Sequence, residues 1–170
     1  MNSFAQSNLL CIKPKVLLRF ESFSDFKKRF GEQTSNNFQL LRWSKDLGFS
    51  RKNFFVIMRD EIDTLPKDRN IFVICNIHKH NEQGVHWSCF NRNIDGISYF
   101  FDSYGLKPTK QVENFIKPYI GYNNRIQENN SSYCGQISLF ILFRLFKGDS
   151  FKDIILTKLN NSQKFFIEND

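Results

Sequence analysis

Long apolar runs are missing from this 170-residue sequence. The longest uninterrupted apolar stretches, Ile71–Cys75 and Leu139–Phe143, fall far short of the roughly 20 residues that a membrane-spanning helix needs. Leu9–Ile12 is likewise shorter than the apolar core of a secretory signal, which takes about 7–15 residues. We therefore expect a protein that has no membrane span and works inside the cell.

Paired metal-binding motifs are also missing. The chain has no CxxC pair and no helical HxxxH, and its four cysteines are scattered: Cys11, Cys75, Cys89 and Cys134. Inside a cell such cysteines stay reduced, with at most one chemically special. Zinc is the alternative, because three histidines lie between Cys75 and Cys89. In a strand, however, Cys75 has the opposite parity to His78 and His80, so we expect no metal and no required cofactor.

Negative charge is in the minority. The chain has 24 Lys and Arg against 17 Asp and Glu, which gives a net charge of +7. The positive residues are spread along the chain and form no Arg-rich run or nucleic-acid motif. Two interpretations stay open: the charge solvates the surface, or it attracts nucleic acid without sequence specificity.

Apolar and aromatic residues are plentiful. Hydrophobic residues make up 41% of the chain, which includes 20 Phe, and charged residues make up 24%, a composition typical of a globular domain. Helical spacing with cap and glycine signals predicts five helices, and β-branched or aromatic runs predict three strands and one extended segment. The predicted helices are 22–31, 35–48, Thr109–Lys117, Cys134–Lys147 and Asp149–Leu159; the predicted strands are Ile71–Ile77, Val85–Phe90 and Ile97–Phe101, with the extended segment at Tyr122–Gln127.

Two of the helices carry specific expectations. In the second helix, Phe38, Leu41 and Leu47 share the predicted buried face. In Cys134–Lys147 the apolar residues point in nearly every direction, which is typical of a helix at the centre of a protein. Helices, then antiparallel strands, then a buried helix indicate an α+β fold, with the buried helix packed on a mixed, mainly antiparallel sheet.

Cys134 is the first candidate catalytic residue. It opens the buried helix, where unpaired N–H groups and the positive end of the helix dipole favour a thiolate, the attacking species in cysteine catalysis. Gly135 would leave room for a substrate backbone to approach. The alternative is a small buried cysteine that merely starts a helix.

A histidine and an acid are predicted to lie together at one end of a hairpin. Asp95-Gly96 is a strong turn signal between the second and third predicted strands. If residues whose numbers sum to about 187–188 face each other, His86 lies opposite Asp102. The carboxylate could then hold the imidazole while its other nitrogen faces a thiol. A register error of one residue would put Asp102 on the other face of the sheet.

Two further residues complete the candidate site. Gln127 lies seven positions before Cys134, and its amide is a suitable donor to a developing oxyanion, together with the Cys134 backbone N–H. Trp87 follows His86 and is a candidate wall of the substrate cleft. Taken alone, Gln127 would be an ordinary polar residue and Trp87 a core residue.

In this order, these residues resemble the adenovirus-type maturation proteases and the wider clan that includes the SUMO-deconjugating proteases. The resemblance rests on Gly84-Val85-His86-Trp87, Phe101–Gly105, Gln127 and Cys134-Gly135, and it extends upstream to Lys45–Gly48. Six residues separate Gln127 from Cys134, as in the adenovirus type. Proteases of this kind are also encoded by virophages and by Maverick (Polinton) transposons.

The resemblance implies a papain-like cysteine endopeptidase that processes viral capsid or core precursors during virion maturation. His86 would be the base, Asp102 the orienting acid, Gln127 the oxyanion donor and Cys134 the nucleophile. Adenovirus enzymes usually carry Glu where this chain has Asp102. They are also activated by DNA and by a viral peptide that is disulfide-linked to a cysteine of the enzyme. That cysteine would fall near Ile116 here, so the resemblance implies stimulation by DNA but not by a disulfide-linked peptide.

The expected organisation is a monomer with an N-terminal extension (1–38), a protease domain (39–160) and a C-terminal tail (161–170). The expected location is the host cytoplasm or a viral factory, with packaging in the virion as an option. Alternatives that use the same triad are a deconjugating protease for a ubiquitin-like protein and an acyltransferase. A non-enzymatic interaction domain is the remaining alternative.

Overall fold

The computed structural model describes residues 20–82 and 86–159 with their side chains, and the backbone of residues 165–168. Its helices are α1 (Phe23–Phe30), α2 (Asn37–Asp46), α3 (Lys110–Ile116), α4 (Cys134–Phe146) and α5 (Phe151–Asp153, continued by a π-helical turn at Ile154–Lys158), with a 3₁₀ helix at Arg59–Thr64. Its strands are β1 (Phe54–Met58), β2 (Ile71–Asn76), β3 (Trp87–Arg92), β4 (Ser98–Asp102), β5 (Tyr119–Tyr122) and β6 (Phe165–Glu168).

The strands form one mixed sheet in the order of the sequence, β1 to β6. β1 and β2 are parallel, as are β4 and β5, and the other three pairings are antiparallel. α4 packs against one face of the sheet, and α3 with the 3₁₀ helix packs against the other. The predicted α+β fold, with a buried helix on a mainly antiparallel sheet, is confirmed.

The β3–β4 hairpin has a different register from the predicted one. Ser88 pairs with Asp102, so facing residues sum to 190, and His86 lies two residues before the partner of Asp102. The error is an even number of residues. Because side chains alternate with a period of two, His86 and Asp102 keep the same face and become diagonal neighbours.

The central helix is confirmed from its first residue to its end. Every side chain from Cys134 to Arg144 is buried in α4, and Gly148 ends the helix with φ 93°. This φ lies in the left-handed region that glycine adopts at low cost. Such complete burial fixes the position of the helix N-terminus relative to the sheet.

α1 is also confirmed, and it contributes to the same core. The Ser22 hydroxyl accepts the Asp25 N–H at its start, and Gly31 ends it. Phe26 is fully buried, with its ring centroid 5.4 Å from that of Phe140 in α4. The predicted extension (1–38) therefore contains a helix that packs on the central one, and the predicted tail (161–170) contains β6.

The predicted buried face of the second helix is wrong at Phe38 and Leu41 and confirmed at Leu47. Phe38 is 78% exposed and Leu41 is 41% exposed, whereas Leu40, Ser44 and Leu47 are buried. Asn36 caps this helix in a reciprocal capping box with Gln39. Packing against α4 rather than apolar spacing selects the buried face, since Leu40 lies next to Gly135.

Other strand predictions need smaller corrections. The chain extends at Tyr119–Tyr122, directly after Pro118 and parallel to β4, rather than across 122–127. Phe54–Met58, for which no strand was predicted, forms an edge strand. Val85, the predicted first residue of the second strand, lies outside the described residues together with Gly84.

Within residues 20–82 and 86–159, no helix is long and apolar enough to cross a membrane. The same part of the chain holds no group of three or more His, Cys, Asp or Glu side chains arranged to bind a metal ion.

Substitution of Phe26 by alanine should lower the free energy of unfolding by about 3–5 kcal/mol, because it empties a fully buried site among four other Phe rings. Urea denaturation measures the effect. Phe38→Ala is the matched control, since its ring is largely exposed and its loss should change stability by no more than about 0.5 kcal/mol. Equal effects of the two substitutions would contradict the packing of α1.

Candidate active site

Cys134 occupies the first turn of α4. Tyr133 precedes it as the N-cap residue and forms no side-chain cap hydrogen bond, so the first N–H groups of the helix stay open for other partners. Cys134 is 5% exposed. It lines a narrow cavity of about 90 Å³ with six other residues: Thr34, Trp87, Tyr104, Gln127, Ser131 and Ser132. A reacting group at Cys134 would therefore sit in a confined space at the positive end of a buried helix.

His86 and Asp102 form a buried hydrogen-bonded pair. His86 immediately precedes β3, Asp102 is the last residue of β4, and Nε2 of the imidazole lies 2.8 Å from Oδ2 of the carboxylate. Their side chains are 3% and 1% exposed. The corrected hairpin register permits this contact because the two residues share a face at the same end of the sheet.

The electrostatic environment stabilises the protonated imidazole. Burial alone lowers the pKa of His86, but the hydrogen bond that the imidazole donates to the Asp102 carboxylate, the nearby Cys134 sulfur and the charges of both raise the pKa to about 9. Nδ1 is buried and, among the described residues, has no hydrogen-bond partner. Since Nε2 is held by Asp102, Nδ1 is the nitrogen available to the thiol.

A tight turn fixes the Asp102 carboxylate. Its Oδ1 accepts the N–H of Tyr104 at 2.8 Å, which leaves Oδ2 for the imidazole. The turn ends at Gly105, whose φ is 73°. A Cβ at Gly105 would lie 2.8 Å from the Asn123 carbonyl oxygen, so glycine lets the segment leading to Gln127 pass close to the acid.

Gln127 is held in one orientation beside the Cys134 cavity. Its Oε1 accepts the Ser103 hydroxyl at 2.6 Å, and its Nε2 donates to the Ser131 carbonyl at 2.8 Å. The backbone N–H groups of Ile126 and Gln127 both donate to the Ser103 carbonyl at 2.9 Å. An amide nitrogen carries two hydrogens, so Nε2 keeps one donor for another acceptor near Cys134.

Trp87 and Gly135 lie at the site, but Gly135 is not open to substrate. Trp87 lines the Cys134 cavity, and its Nε1 donates to the Ser35 carbonyl at 3.0 Å. A Cβ on Gly135 would overlap the Ser35 hydroxyl and lie 3.3 Å from the Trp87 ring. The space predicted for a substrate backbone is filled by the protein itself, and glycine is needed there for packing.

The two other described cysteines have different environments. Burial raises the pKa of Cys75 to about 12, and burial also raises the pKa of Cys89. Both thiols lie within the sheet, on β2 and β3, and both are almost fully buried. Because burial raises the pKa of both thiols, both are expected to stay protonated and inert.

Comparison with known proteins shows similarity to viral proteases. No family model matches the chain. It is 28% identical over 104 residues to R355 of Acanthamoeba polyphaga mimivirus, a protein named as a thiol protease, and the match covers 53% of this chain and 34% of R355. Two crystal structures of the ASFV pS273R protease give TM-scores of 0.56 and 0.55 at 16% identity, covering 74% of this chain. The chain has the fold of a viral protease.

These matches are partial. The chain spans about a third of R355, and it covers 63% and 62% of the two ASFV protease chains. The matches agree with the resemblance to viral cysteine proteases in general. They do not single out the adenovirus type. The predicted papain-like α+β fold agrees with both structural matches.

Three contributors to the site were missed by the sequence reasoning. Ser103 orients Gln127, Tyr104 stacks on His86 with 4.4 Å between ring centroids, and Arg125 lies over the Tyr104 ring. Ser103 and Tyr104 were part of the motif around Asp102 but received no role. The turn signal of Gly105 was available, whereas nothing in the sequence pairs Arg125 with Tyr104.

Proposed function

We propose that this chain is a cysteine endopeptidase in which Cys134 is the nucleophile, His86 transfers protons and Asp102 orients the imidazole. One observation carries the proposal: a buried imidazole bonded to a carboxylate through Nε2, with Nδ1 left for a thiol at the N-terminus of a buried helix. The similarity to a viral thiol protease supports the same chemistry.

The first half of the reaction uses the ion pair of the Cys134 thiolate and the His86 imidazolium. His86 takes the proton of the Cys134 thiol, and the thiolate attacks the scissile carbonyl carbon, whose oxygen becomes an oxyanion. The Cys134 backbone N–H and the second hydrogen of Gln127 Nε2 stabilise that oxyanion. The C–N bond then breaks, and the imidazolium gives its proton to the leaving amine, which leaves a thioester on Cys134.

The second half regenerates the enzyme. Neutral His86 removes a proton from water, and the resulting hydroxide attacks the thioester carbonyl. The C–S bond breaks, the carboxylic acid product leaves, and Cys134 is again a thiolate beside an imidazolium. Throughout, Asp102 holds Nε2 and compensates the positive charge on the ring, which burial alone would disfavour.

The substrates that we propose are viral capsid or core precursor proteins, cleaved during virion maturation in the host cytoplasm, in a viral factory or inside the virion. The proposed enzyme is a monomer and needs no cofactor for the steps above. Its net charge of +7 makes DNA a candidate stimulator through non-specific attraction.

Mass-spectrometric mapping of new protein termini tests the proposal. The co-encoded capsid proteins are incubated with the wild-type chain, with Cys134→Ala and with Cys89→Ala, which removes a different buried thiol. We expect the same new termini from the wild type and Cys89→Ala. In Cys134→Ala the rate of cleavage at these sites should fall on the order of 10⁴-fold or more.

Cleavage by Cys134→Ala at the wild-type rate would refute the proposed nucleophile. Cleavage of a ubiquitin-like conjugate in place of capsid proteins would replace the proposal with a deconjugating protease. Acetyl transfer from acetyl-CoA would replace it with an acyltransferase.

A further inference from the structure

A second cavity lies on the face of the sheet that α3 covers. It has a volume of about 460 Å³, which falls within the range of roughly 300–1,000 Å³ that holds small-molecule ligands. Its floor is apolar and is formed by Cys75, Phe100 and Val112, which belong to the core on that face. Cys134 belongs to the core on the α4 face, and none of the described residues lines both cavities. We call this space the α3-side cavity.

A row of paired strand residues places the α3-side cavity beside the acid of the candidate active site. Cys75 pairs with Ser88, Ser88 pairs with Asp102, and all three line the cavity. Residues that pair directly across antiparallel strands point to the same face of a sheet. Both carboxylate oxygens of Asp102 already have partners, the Tyr104 N–H and the His86 imidazole. A ligand in the cavity would therefore take its polar contacts from other groups.

Arg59 supplies the first of these groups. Its backbone N–H donates to the His78 carbonyl at 3.0 Å, which fixes the start of the 3₁₀ helix at the cavity wall. Burial raises the pKa of Cys75 to about 12, and the Arg59 charge opposes that rise, so the guanidinium lies close enough to act on the cavity floor. Within residues 20–82 and 86–159, Arg59 forms no ion pair. Its charge is therefore available to a ligand.

The acids that follow Arg59 in the sequence have other partners. Asp60 Oδ2 lies 3.0 Å from Nδ1 of His80, and Glu61 Oε2 accepts the Met58 N–H at 2.7 Å. Neither contact involves the guanidinium. The positive charge at the cavity wall is therefore not neutralised by the acids next to it in the chain.

Other polar side chains line the same space. His78 is one of them, and its Nδ1 is buried and has no hydrogen-bond partner among the described residues, which is rare for a buried polar atom. Lys107 and Glu82 lie at the exposed rim, where their charges oppose each other. Apart from Asp102, which is bonded to its imidazole partner, the remaining charge in the lining is that of Arg59. The cavity thus combines an apolar floor with an excess of positive charge.

We propose that the α3-side cavity binds a small amphipathic anion whose carboxylate or phosphate head contacts Arg59 and His78. The apolar body of the ligand packs on the floor at Phe100 and Val112, and its burial supplies the non-directional part of the binding. A guanidinium presents parallel N–H donors that match either head group, and an imidazole adds one more donor. The ligand is distinct from the proposed substrate, because this cavity and Cys134 lie on opposite faces of the sheet.

Three probes that share one ring test the binding: phenyl phosphate, benzoate and the neutral benzyl alcohol. Methyl NMR of the full chain labelled at Ile and Val follows each titration. We expect at least one anion to shift the Val112 signals saturably, with a Kd on the order of 1 mM or lower, and benzyl alcohol to bind about tenfold more weakly or less. The Ile137 signals, from one turn after Cys134 in α4, should stay in place. The anion that binds more tightly identifies the head group.

Arg59→Gln tests the recognition of the head group. It should weaken the binding of the anions about tenfold or more and leave that of benzyl alcohol unchanged. Arg51→Gln is the matched control, since Arg51 is exposed, lies outside the cavity lining and carries the same charge. Thermal unfolding verifies that both variants are folded, and the comparison of the three probes on the unmodified chain depends on neither.

Three results would overturn the proposal. They are the lack of a saturable Val112 shift with either anion up to about 20 mM, benzyl alcohol binding as tightly as the anions, and equal effects of the Arg59→Gln and Arg51→Gln substitutions.

A kinetic measurement tests whether the site is separate from the substrate cleft, and this part rests on the proposed function. Saturating phenyl phosphate or benzoate should leave KM for peptide cleavage within about twofold, because the probe and the substrate occupy different faces of the sheet. A KM that rises in proportion to the probe concentration would overturn the separate site. The NMR titration needs no proteolysis, so a chain that binds the anion and cleaves no peptide would refute the proposed function alone.

Discussion

Replacement of His86 by alanine should lower kcat for peptide cleavage on the order of 10⁴-fold. In the proposed mechanism the imidazole takes the thiol proton and protonates the leaving amine, and His86 is the histidine whose pKa the Cys134 sulfur raises. KM should change little, because the ring acts in the chemical step. Steady-state kinetics on a peptide derived from a mapped cleavage site measures both constants.

A second His–Asp pair in the same chain controls for the loss of a histidine. His80 Nδ1 lies 3.0 Å from Asp60 Oδ2, and this pair is exposed. His80→Ala should therefore retain wild-type kcat. His86→Ala leaves the buried Asp102 without its ring partner, so the same kinetics are also measured on His86→Gln. Thermal unfolding verifies that both variants are folded. Wild-type kcat in folded His86 variants would exclude the proposed base.

Asp102→Asn should have the second largest effect, a fall in kcat on the order of 10²–10⁴-fold at neutral pH. The substitution keeps the size of the side chain and removes the charge that helps to raise the pKa of His86 to about 9. Because the pKa of His86 is raised, its imidazolium form persists through neutral pH and is lost as the pH rises through about 9. Without the carboxylate that loss should occur at lower pH, so the alkaline fall of kcat/KM moves toward neutrality.

The pH profile distinguishes this electrostatic role from a structural one. Asp60→Asn removes the acid of the exposed pair and should leave the profile in place. An Asp102→Asn enzyme that is slower but keeps the wild-type alkaline limb would show that Asp102 does not set the protonation of His86.

The sequence was sufficient to predict the parts of the site that depend on local pattern. An apolar helix with Cys134 as its first residue is a local feature, and so is a hairpin that brings His86 and Asp102 to one end. The hairpin prediction survived a register error of two residues because the pleat repeats every two residues. A one-residue error would have separated the pair.

Long-range contacts account for what could not be predicted. Gly135 meets Ser35 from a segment about 100 residues earlier, which turned an expected opening for substrate into a packing contact. Contacts around Gly135 also determine which face of α2 is buried, so apolar spacing alone wrongly predicted that Phe38 is buried. The stack of Arg125 on Tyr104 depends on how two loops approach at Gly105, and no periodicity encodes it.

Selective alkylation is the most direct test of the central claim, that a histidine–carboxylate pair activates the thiol of Cys134. The native protein is treated with limiting iodoacetamide near neutral pH, and peptide mapping follows each cysteine. We expect Cys134 to be modified first and Cys75 and Cys89 to remain unmodified, with the reaction at Cys134 strongly slowed in His86→Ala. Equal modification of all the cysteines, or a Cys134 rate that is unchanged without His86, would contradict the account.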